Sequence, residues 1–145
     1  MAAEELHDEI SALLRRADQR YTKGRRRLVN ALKRGGQPLT IPQILALDAE
    51  LAQSTAYRNL VVLEEAGVVT RIVTNDDFAR FELAEQLTEH HHHLICSSCG
   101  DVRDFSLGGS TEASLDKALH KIADHAGFSV ESHRLDLVGV CSSCD

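Results

Sequence analysis

The chain has 145 residues and a formal net charge of −6, a length that suits either one ordinary domain or two small ones. It contains no apolar run long enough to cross a bilayer and no signal-like segment, which excludes a membrane-spanning protein and predicts a cytoplasmic one. The acidic balance, taken alone, argues against a nucleic-acid partner.

The charges are unevenly distributed along the chain. Residues 15–34 carry nine basic side chains and one acidic side chain, whereas residues 84–145 carry four basic and ten acidic ones. This asymmetry indicates an N-terminal part that binds a polyanion and a C-terminal part that binds cations. A solvated helix face is the alternative interpretation of the basic run.

The first three helices are predicted from apolar spacing and from their end signals. Residues 6–14 carry leucine and isoleucine at helical spacing, and a second helix follows Thr22 as its N-cap. Gly35 and Gly36 end that helix. After Pro38, residues 41–51 indicate a third helix.

A fourth helix is predicted over residues 55–66, with Ser54 as its N-cap and Gly67 as its stop. Three of its apolar residues share one face, which points inward: Ala56, Leu60 and Leu63. That placement leaves Tyr57 and Arg58 exposed on the first turn. Two short strands, residues 68–73 and 79–83, then form a hairpin, which completes the order of a winged helix-turn-helix.

The pattern changes after the polar stretch 84–89. Residues 90–105 are strand-like, an amphipathic helix ends at Gly127, and residues 130–140 form a last strand. We therefore predict an α+β fold, in which an N-terminal winged helix-turn-helix is followed by a small α/β domain. The expected boundaries are residues 1–84 for the DNA-binding domain, 85–89 for a hinge, and 90–145 for the second domain.

All four cysteines occur in two CxxC pairs: Cys96, Cys99, Cys141 and Cys144. Four thiolates have the composition of a closed, tetrahedral, structural zinc site. Each pair turns through two serines, which allows both sulfurs to face one ion. A thiol-based redox switch and a disulfide framework are the alternatives.

The stretch EHHHHLICSSCG, residues 89–100, places four consecutive histidines before the first CxxC pair. The run is internal, so an expression tag is a poor explanation. In an extended strand, His90 and His92 point to one face while His91 and His93 point to the other, so one run can serve two sites. Further oxygen and nitrogen ligands are available but spacing does not allocate them: Glu82, Asp104, Glu112 and His133. We expect His7, His120 and His125 to have no metal role.

At several points the sequence resembles the ferric uptake regulators, a family of dimeric, metal-activated bacterial repressors. The resemblance covers nearly the whole chain. It rests on TKGR at residues 22–25, STAYRNL at 54–60, RFEL at 80–83, HHHHLICSSCG at 90–100, and His133 followed by Gly139-Val140-Cys141.

The resemblance implies roles for these residues. Tyr57 and Arg58 would enter the major groove beside Ser54 and Thr55, and Arg20 and Arg25 would contact the DNA backbone or minor groove. The four cysteines would hold structural Zn²⁺. The regulatory metal site at the hinge would comprise Glu82, His91, His93 and Asp104, and a second metal site would comprise His90, His92, Glu112 and His133.

Two departures from the family pattern concern the regulatory metal. Iron-sensing members often place a histidine before the third helix, where this chain has Gln37-Pro38-Leu39, so one ligand is missing. Zinc-sensing members contribute a cysteine to the regulatory site, but here all four cysteines belong to the two CxxC pairs. Carboxylates and imidazoles without sulfur favour Fe²⁺ or Mn²⁺, with Zn²⁺ a further option. Iron sensing is expected first. Peroxide sensing through iron is second, because the resemblance places Asp104 where peroxide-sensing members carry an aspartate, and zinc or manganese sensing follows.

The resemblance also implies that residues 90–145 are a dimerisation domain. The homodimer would bind a palindromic operator in double-stranded DNA, with no membrane partner and no small-molecule substrate. Metal at the hinge would favour the arrangement in which both recognition helices reach DNA. An enzyme is the competing class, but the chain has no HExxH motif and no evident reaction site. A metal buffer or zinc-ribbon interaction module would leave the basic run and residues 54–60 unexplained.

Overall fold

The computed structural model describes residues 2–74 and 76–145. In chain order the elements are α1 (Ala3–Arg16), α2 (Lys23–Gly35), α3 (Ile41–Leu47), α4 (Gln53–Glu65), β1 (Val69–Val73), β2 (Ala79–Leu83), a 3₁₀ turn (Glu85–Leu87), β3 (His92–Cys96), β4 (Val102–Phe105), α5 (Gly109–Ala126) and β5 (Asp136–Gly139). The predicted α+β class, with an N-terminal winged helix-turn-helix, is confirmed.

The ends of α2 follow from local chemistry. The Arg25 backbone N–H donates to Thr22 Oγ1 at 3.3 Å, and Gly36 ends the helix in the left-handed region with a φ of 64°. Both ends agree with the sequence prediction. The apolar faces of α1 to α4 then pack with β1 and β2 into one core. Its fully buried side chains include Ile10, Leu14, Leu28, Ile44, Leu60, Leu63 and Phe81.

The start of α4 differs from the prediction. The N-cap is Ala52, and Ser54 lies inside the first turn with its side chain exposed. The turn that precedes α4 is fixed by Asp48, whose carboxylate accepts from Arg27 at 2.8 and 2.6 Å. Ser54 is therefore not the N-cap of α4.

The hairpin of β1 and β2, the wing, is joined to the helices through backbone pairing. Leu39 and Phe81 exchange two hydrogen bonds, of 2.9 and 2.8 Å, so the segment before α3 adds a short edge to β2. Phe81 is buried in the core, and the next residue on β2 is Glu82. The position of Glu82 is therefore fixed by the DNA-binding half of the chain.

A buried ion pair closes the turn of the wing. Arg80, only 6% exposed, donates through its two terminal nitrogens to the two carboxylate oxygens of Asp76 at 3.0 and 2.8 Å. The Thr74 hydroxyl and the Phe78 backbone N–H also donate to this carboxylate. The turn lies against the second half of the chain, since a Cβ atom added at Gly100 would overlap the Asp76 carboxyl group.

We expect Asp76→Asn to lower the free energy of unfolding by about 2 kcal/mol, because it leaves the Arg80 charge buried without its partner. Hydrogen bonds from Arg80 and then Thr74 hold the pKa of Asp76 below its usual range. The stabilisation is therefore complete above the unfolded carboxyl pKa of about 3.9 and is lost as the pH falls below it. Urea denaturation at pH 7 and pH 3 measures both effects. Asp77→Asn, at the exposed neighbour, is the control, and equal stability of the two variants at pH 7 would contradict the prediction.

The second half of the chain is built on a three-stranded sheet of order β4-β3-β5. Strand β3 pairs antiparallel with β4 and parallel with β5. The last strand, Asp136–Gly139, is shorter than the predicted 130–140. Residues 130–135 are irregular instead, and this course brings His133 towards α5 and its Glu112 side chain.

Helix α5 buries none of its side chains within the single chain. Ile122 on this helix is 67% exposed, and Phe128 just beyond it is 71% exposed. Strand β5 likewise exposes Leu137 and Val138. An apolar surface of this extent is typical of a protein–protein interface. Among the described residues, no helix is both long and apolar enough to cross a bilayer.

Candidate metal centres and nucleic-acid interface

The four cysteines meet at one end of the β4-β3-β5 sheet. Their sulfur atoms all lie within 4.8 Å of one another, and Cys99 Sγ lies 3.8 Å from Cys141 Sγ. Two sulfurs bound to one tetrahedral zinc at about 2.3 Å would be about 3.8 Å apart. All four are free cysteines, so the geometry is that of a closed metal site.

The thiols of Cys96 and Cys99 differ in how readily they ionise. Backbone N–H groups of Cys99 and Cys141 donate to Cys96 Sγ at 3.4 and 3.3 Å, and they lower the pKa of Cys96 to about 6. At Cys99 the Asp101 N–H acts in the same direction, but the sulfur of Cys96, burial, and the sulfurs of Cys144 and Cys141 together outweigh it, and the pKa of Cys99 rises to about 12. A bound Zn²⁺ removes this conflict because it stabilises every thiolate.

A second group of ligands lies between the wing and the sheet. We call it the hinge cluster: Glu82, His91, His93 and Asp104, whose ligand atoms all lie within 4.8 Å of one another. The Nε2 atoms of His91 and His93 face Glu82 at 3.1 and 2.8 Å. The β3–β4 register places Asp104 opposite His93, with 3.5 Å between Oδ1 and Nε2.

The electrostatics of the hinge cluster favour a cation at its centre. Burial opposes ionisation of Glu82, but hydrogen bonds from His93 and His91 outweigh it and lower the pKa of Glu82. Burial, and then the charge of Glu82, raise the pKa of Asp104 to about 6. The hydrogen bond to Glu82 raises the pKa of His93. Protons thus compensate the carboxylates, and a divalent cation can take the place of those protons.

The Nδ1 atoms of His91 and His93 also have interaction partners. His91 Nδ1 donates to the Glu89 carbonyl at 2.8 Å, and His93 Nδ1 lies 3.5 Å from an Asp136 oxygen on β5. Such contacts orient Nε2 towards a metal. A cavity of about 340 Å³ opens beside the cluster, and its lining includes Gln37 from the DNA-binding half of the chain. The segment before α3, where the resemblance led us to expect a histidine ligand, therefore borders this cavity.

A third group, the sheet–helix cluster, joins the opposite face of β3 to α5: His90, His92, Glu112 and His133. The Glu112 carboxylate faces His92 Nε2 at 2.8 Å and His133 Nε2 at 2.8 Å, while His90 Nε2 lies 3.2 Å from His133 Nε2. The hydrogen bond from His92 is the largest cause that lowers the pKa of Glu112.

The sheet–helix cluster also fits a cation. His92 is 1% exposed, and its Nδ1 has no hydrogen-bond partner among the described residues. Three imidazole nitrogens and a carboxylate that converge in this way match the donors preferred by divalent transition metals. The alternation predicted along the histidine run is present, since His90 and His92 lie in one cluster and His91 and His93 in the other. The other three histidines, His7, His120 and His125, lie outside the three clusters.

The exposed side of α4 carries the predicted DNA-contact residues. Ala56, Leu60 and Leu63 are fully buried, as predicted, which orients the opposite face to solvent. Tyr57 is 51% exposed. The other exposed side chains of the first two turns are Gln53, Ser54, Thr55 and Arg58. None of them is needed to hold the core together.

Arg20 and Arg25 differ in their surroundings. Arg20 is exposed, whereas Arg25 is partly buried and engaged within the protein. The Arg25 guanidinium donates to Asn59 Oδ1 on α4 at 3.0 Å and to the Arg20 carbonyl at 2.7 Å. Arg25 thereby fixes the loop that carries Arg20 relative to α4.

The sequence reasoning missed several residues that hold the ligands in place. Four such residues contact a predicted DNA-contact residue or metal ligand: Asn59, Glu85, Asp116 and Asp136. Of these, only Glu85 could have been suspected from the sequence, because it lies close to the histidine run. The other three depend on contacts between elements distant in sequence, which spacing does not reveal.

Comparison with known proteins gives concordant matches. The model of the "Ferric uptake regulator family" matches residues 16–138, from the end of α1 to β5. The ferric uptake regulation protein of Bordetella parapertussis is 38% identical over 101 residues, which cover 70% of this chain and 68% of that protein. The peroxide operon regulator of Bacillus subtilis is 32% identical over 148 residues, covering 99% of this chain and 96% of that one.

The fold is similar as well. The crystal structure of the Vibrio cholerae ferric uptake regulator matches with a TM-score of 0.69 and 28% sequence identity, covering 88% of this chain and 96% of that chain. The similarity thus includes the winged helix-turn-helix and the sheet that carries the clusters.

Proposed function

Because the chain belongs to the ferric uptake regulator family of metal-responsive, DNA-binding transcription regulators, we propose that it is an iron(II)-dependent repressor of metal-homeostasis genes. It is a regulator and not an enzyme. The observation that carries the proposal is the hinge cluster, in which Glu82 from the wing meets His91 and His93 from the sheet. A ligand that binds both halves of the chain biases their relative arrangement.

The donor set supports iron(II). A divalent ion bound in the hinge cluster would supply a direct link between the wing and the sheet. Two imidazoles and two carboxylates, without sulfur, suit iron(II) or manganese(II) better than a sulfur-seeking ion. Glu82 provides the wing side of the link, and the Leu39–Phe81 pairing transmits its position to the helices. The structural zinc is assigned to the four cysteines.

The DNA-contact proposal rests on exposure and charge. Tyr57 and Arg58 project from the first turns of α4, where a recognition helix contacts base edges in the major groove. Ser54 and Thr55 lie beside them, and Arg20 provides a charge for the DNA backbone. Nine basic side chains in residues 15–34 favour a steep decrease of affinity with salt.

A homodimer follows from the unpacked apolar surface of the second half of the chain. Regulators of this family form dimers, and the exposed side chains of α5 and β5 supply a face that a second copy can cover. A two-fold dimer presents two copies of α4. We therefore propose a palindromic operator with half-sites about one helical turn apart, or a multiple of it.

Peroxide sensing through iron is the second candidate. It is favoured by Asp104, which the resemblance places where peroxide-sensing members carry an aspartate, and by the likeness to the Bacillus subtilis peroxide operon regulator over nearly the whole chain. The discriminating observation is the response of the DNA complex to hydrogen peroxide. Loss of binding with iron-loaded protein, but not with manganese-loaded protein, would favour this candidate.

The test of the proposed function is metal-dependent DNA binding. Fluorescence anisotropy on an AT-rich palindromic operator from the protein's own upstream region is measured without oxygen, after chelation that spares the four-cysteine zinc. We expect iron(II) to raise the affinity of the wild type by on the order of 10- to 100-fold, and Glu82→Gln to remove most of this gain because it removes the charged ligand of the wing.

The control is Glu9→Gln, which removes an exposed carboxylate on α1 and should respond like the wild type. Manganese(II) and zinc(II) are titrated in separate experiments to identify the effector. DNA binding that is equally tight with and without each metal would rule out the metal-responsive switch.

A further inference from the structure

The carboxylate of Glu85 contacts both histidine clusters. Glu85 begins the 3₁₀ turn Glu85–Leu87, and Leu87 is buried in the core of the DNA-binding half, which anchors the turn. Its Oε1 atom lies 2.5 Å from His90 Nδ1 and 3.4 Å from the backbone N of His91. His90 belongs to the sheet–helix cluster and His91 to the hinge cluster, so one oxygen atom joins adjacent ligands of two sites.

The contact to His90 sets the role of each ring nitrogen. A histidine that donates its Nδ1–H to a carboxylate keeps the Nε2 lone pair for a metal, and the carboxylate fixes the orientation of the ring. His90 Nε2 is the atom that faces Glu112 at 2.9 Å and His133 at 3.2 Å. Glu85 is thus an outer partner of the sheet–helix cluster.

The contact to His91 acts on the other cluster. The His91 backbone N–H donates to the same oxygen, so the position of Glu85 determines where the chain enters the hinge cluster. An imidazole whose Nε2 is ligated becomes a stronger donor at Nδ1, which strengthens its bond to the carboxylate. Occupancy of the sheet–helix cluster therefore restrains Glu85 and, through it, the backbone of His91.

We propose that Glu85 is a positioning residue that couples the two clusters, so that a metal bound at one raises the affinity of the other. The proposal rests on the proposed function of both clusters as metal sites. Coupling of this kind is reciprocal, so each site changes the affinity of the other by the same factor. The regulatory response would then depend on whether the sheet–helix cluster is already filled.

The test is a double-mutant cycle on the full chain. Zinc(II), used as a diamagnetic probe, is titrated under a competing chelator, and the histidine ring resonances in NMR spectra report the occupancy of each cluster separately. The four proteins compared are the wild type, Glu85→Ala, Glu112→Ala and the variant with both substitutions. Within the part of the chain that the structure describes, the hydrogen bonds of the Glu112 carboxylate all go to the sheet–helix cluster, so its replacement empties that cluster and leaves the hinge ligands intact.

We expect Glu112→Ala to lower the zinc affinity of the hinge cluster at least about fivefold when Glu85 is present. Glu85→Ala should lower it to a similar level, and the double variant should show no further loss. Glu85→Gln keeps an acceptor oxygen and should retain part of the coupling. Glu9→Ala, at an exposed carboxylate remote from both clusters, should behave like the wild type, and all variants should keep the four-cysteine zinc.

Two results would overturn the coupling: hinge affinity unchanged by Glu112→Ala, or a loss on Glu112→Ala that persists fully in the Glu85→Ala background. A merely structural role of Glu85 would give the second result, because the effects of the two substitutions would then add. Failure of both clusters to bind zinc would instead overturn the proposed function, and the coupling with it.

Discussion

Replacing Tyr57 and Arg58 together by alanine is expected to lower affinity for the specific operator by on the order of 100-fold or more, since each good base contact is worth about 1–3 kcal/mol. Both side chains are exposed on α4, and the core beneath them is formed by other residues. The fold and the zinc content should therefore be unchanged. Anisotropy on specific and scrambled DNA over a range of salt concentrations measures the effect.

The scrambled DNA separates base recognition from charge. Loss of one arginine should reduce the binding to both DNAs modestly, whereas loss of base contacts should act on the operator alone. Arg134→Ala, which removes an exposed charge from the second half of the chain, is the matched control and should retain operator preference. Operator affinity of the double variant equal to that of the wild type would refute the assignment of α4 as the recognition helix.

Cys141→Ser is expected to abolish structural zinc binding and unfold the sheet of the second half. Within residues 90–145 the buried side chains are few, namely His92, Cys96 and Val102. A structural zinc contributes apparent binding energies of about 10–16 kcal/mol, comparable with the whole stability of a typical domain, about 5–15 kcal/mol. The sheet has no apolar core of its own to replace that contribution.

Elemental analysis of zinc and amide hydrogen exchange in β3 and β5 measure these effects. Ser143→Ala alters an exposed residue between the two cysteines of the second pair. This control variant should retain its zinc, and its amide hydrogens in β3 and β5 should still exchange slowly. Protection should persist in α2 and α4, whose core lies in the other half of the chain. A Cys141→Ser protein that exchanges slowly in β3 and contains stoichiometric zinc would show that the site is not structural.

Local patterns in the sequence predicted the parts of the fold that depend on local chemistry. Thr22 as a cap and the glycines after α2 and α5 act within one turn of the helix they end. The alternation along the histidine run follows from strand geometry alone, so the separation of His90 and His92 from their neighbours could be derived without a structure.

The features that the sequence did not predict depend on contacts across the fold. In the turn before α4, Asp48 accepts from Arg27, a residue 21 positions away in the chain. Residues 130–135 are irregular and not part of β5, and among them His133 contacts Glu112 on α5. The resemblance to the family was needed to predict which cluster each carboxylate joins, because spacing in the sequence does not indicate that Glu82 and Asp104 lie together.

The contact between the wing turn and Gly100 limits which sequences this fold can accept. Gly100 has a φ of 77°, a conformation that disfavours other residues, and the Asp76 carboxylate fills the space where a side chain would begin. That carboxylate cannot swing aside cheaply, because Arg80, Thr74 and Phe78 all donate to it. Gly100 belongs to none of the three ligand clusters, yet a random mutational screen should find it among the least tolerant positions of the chain.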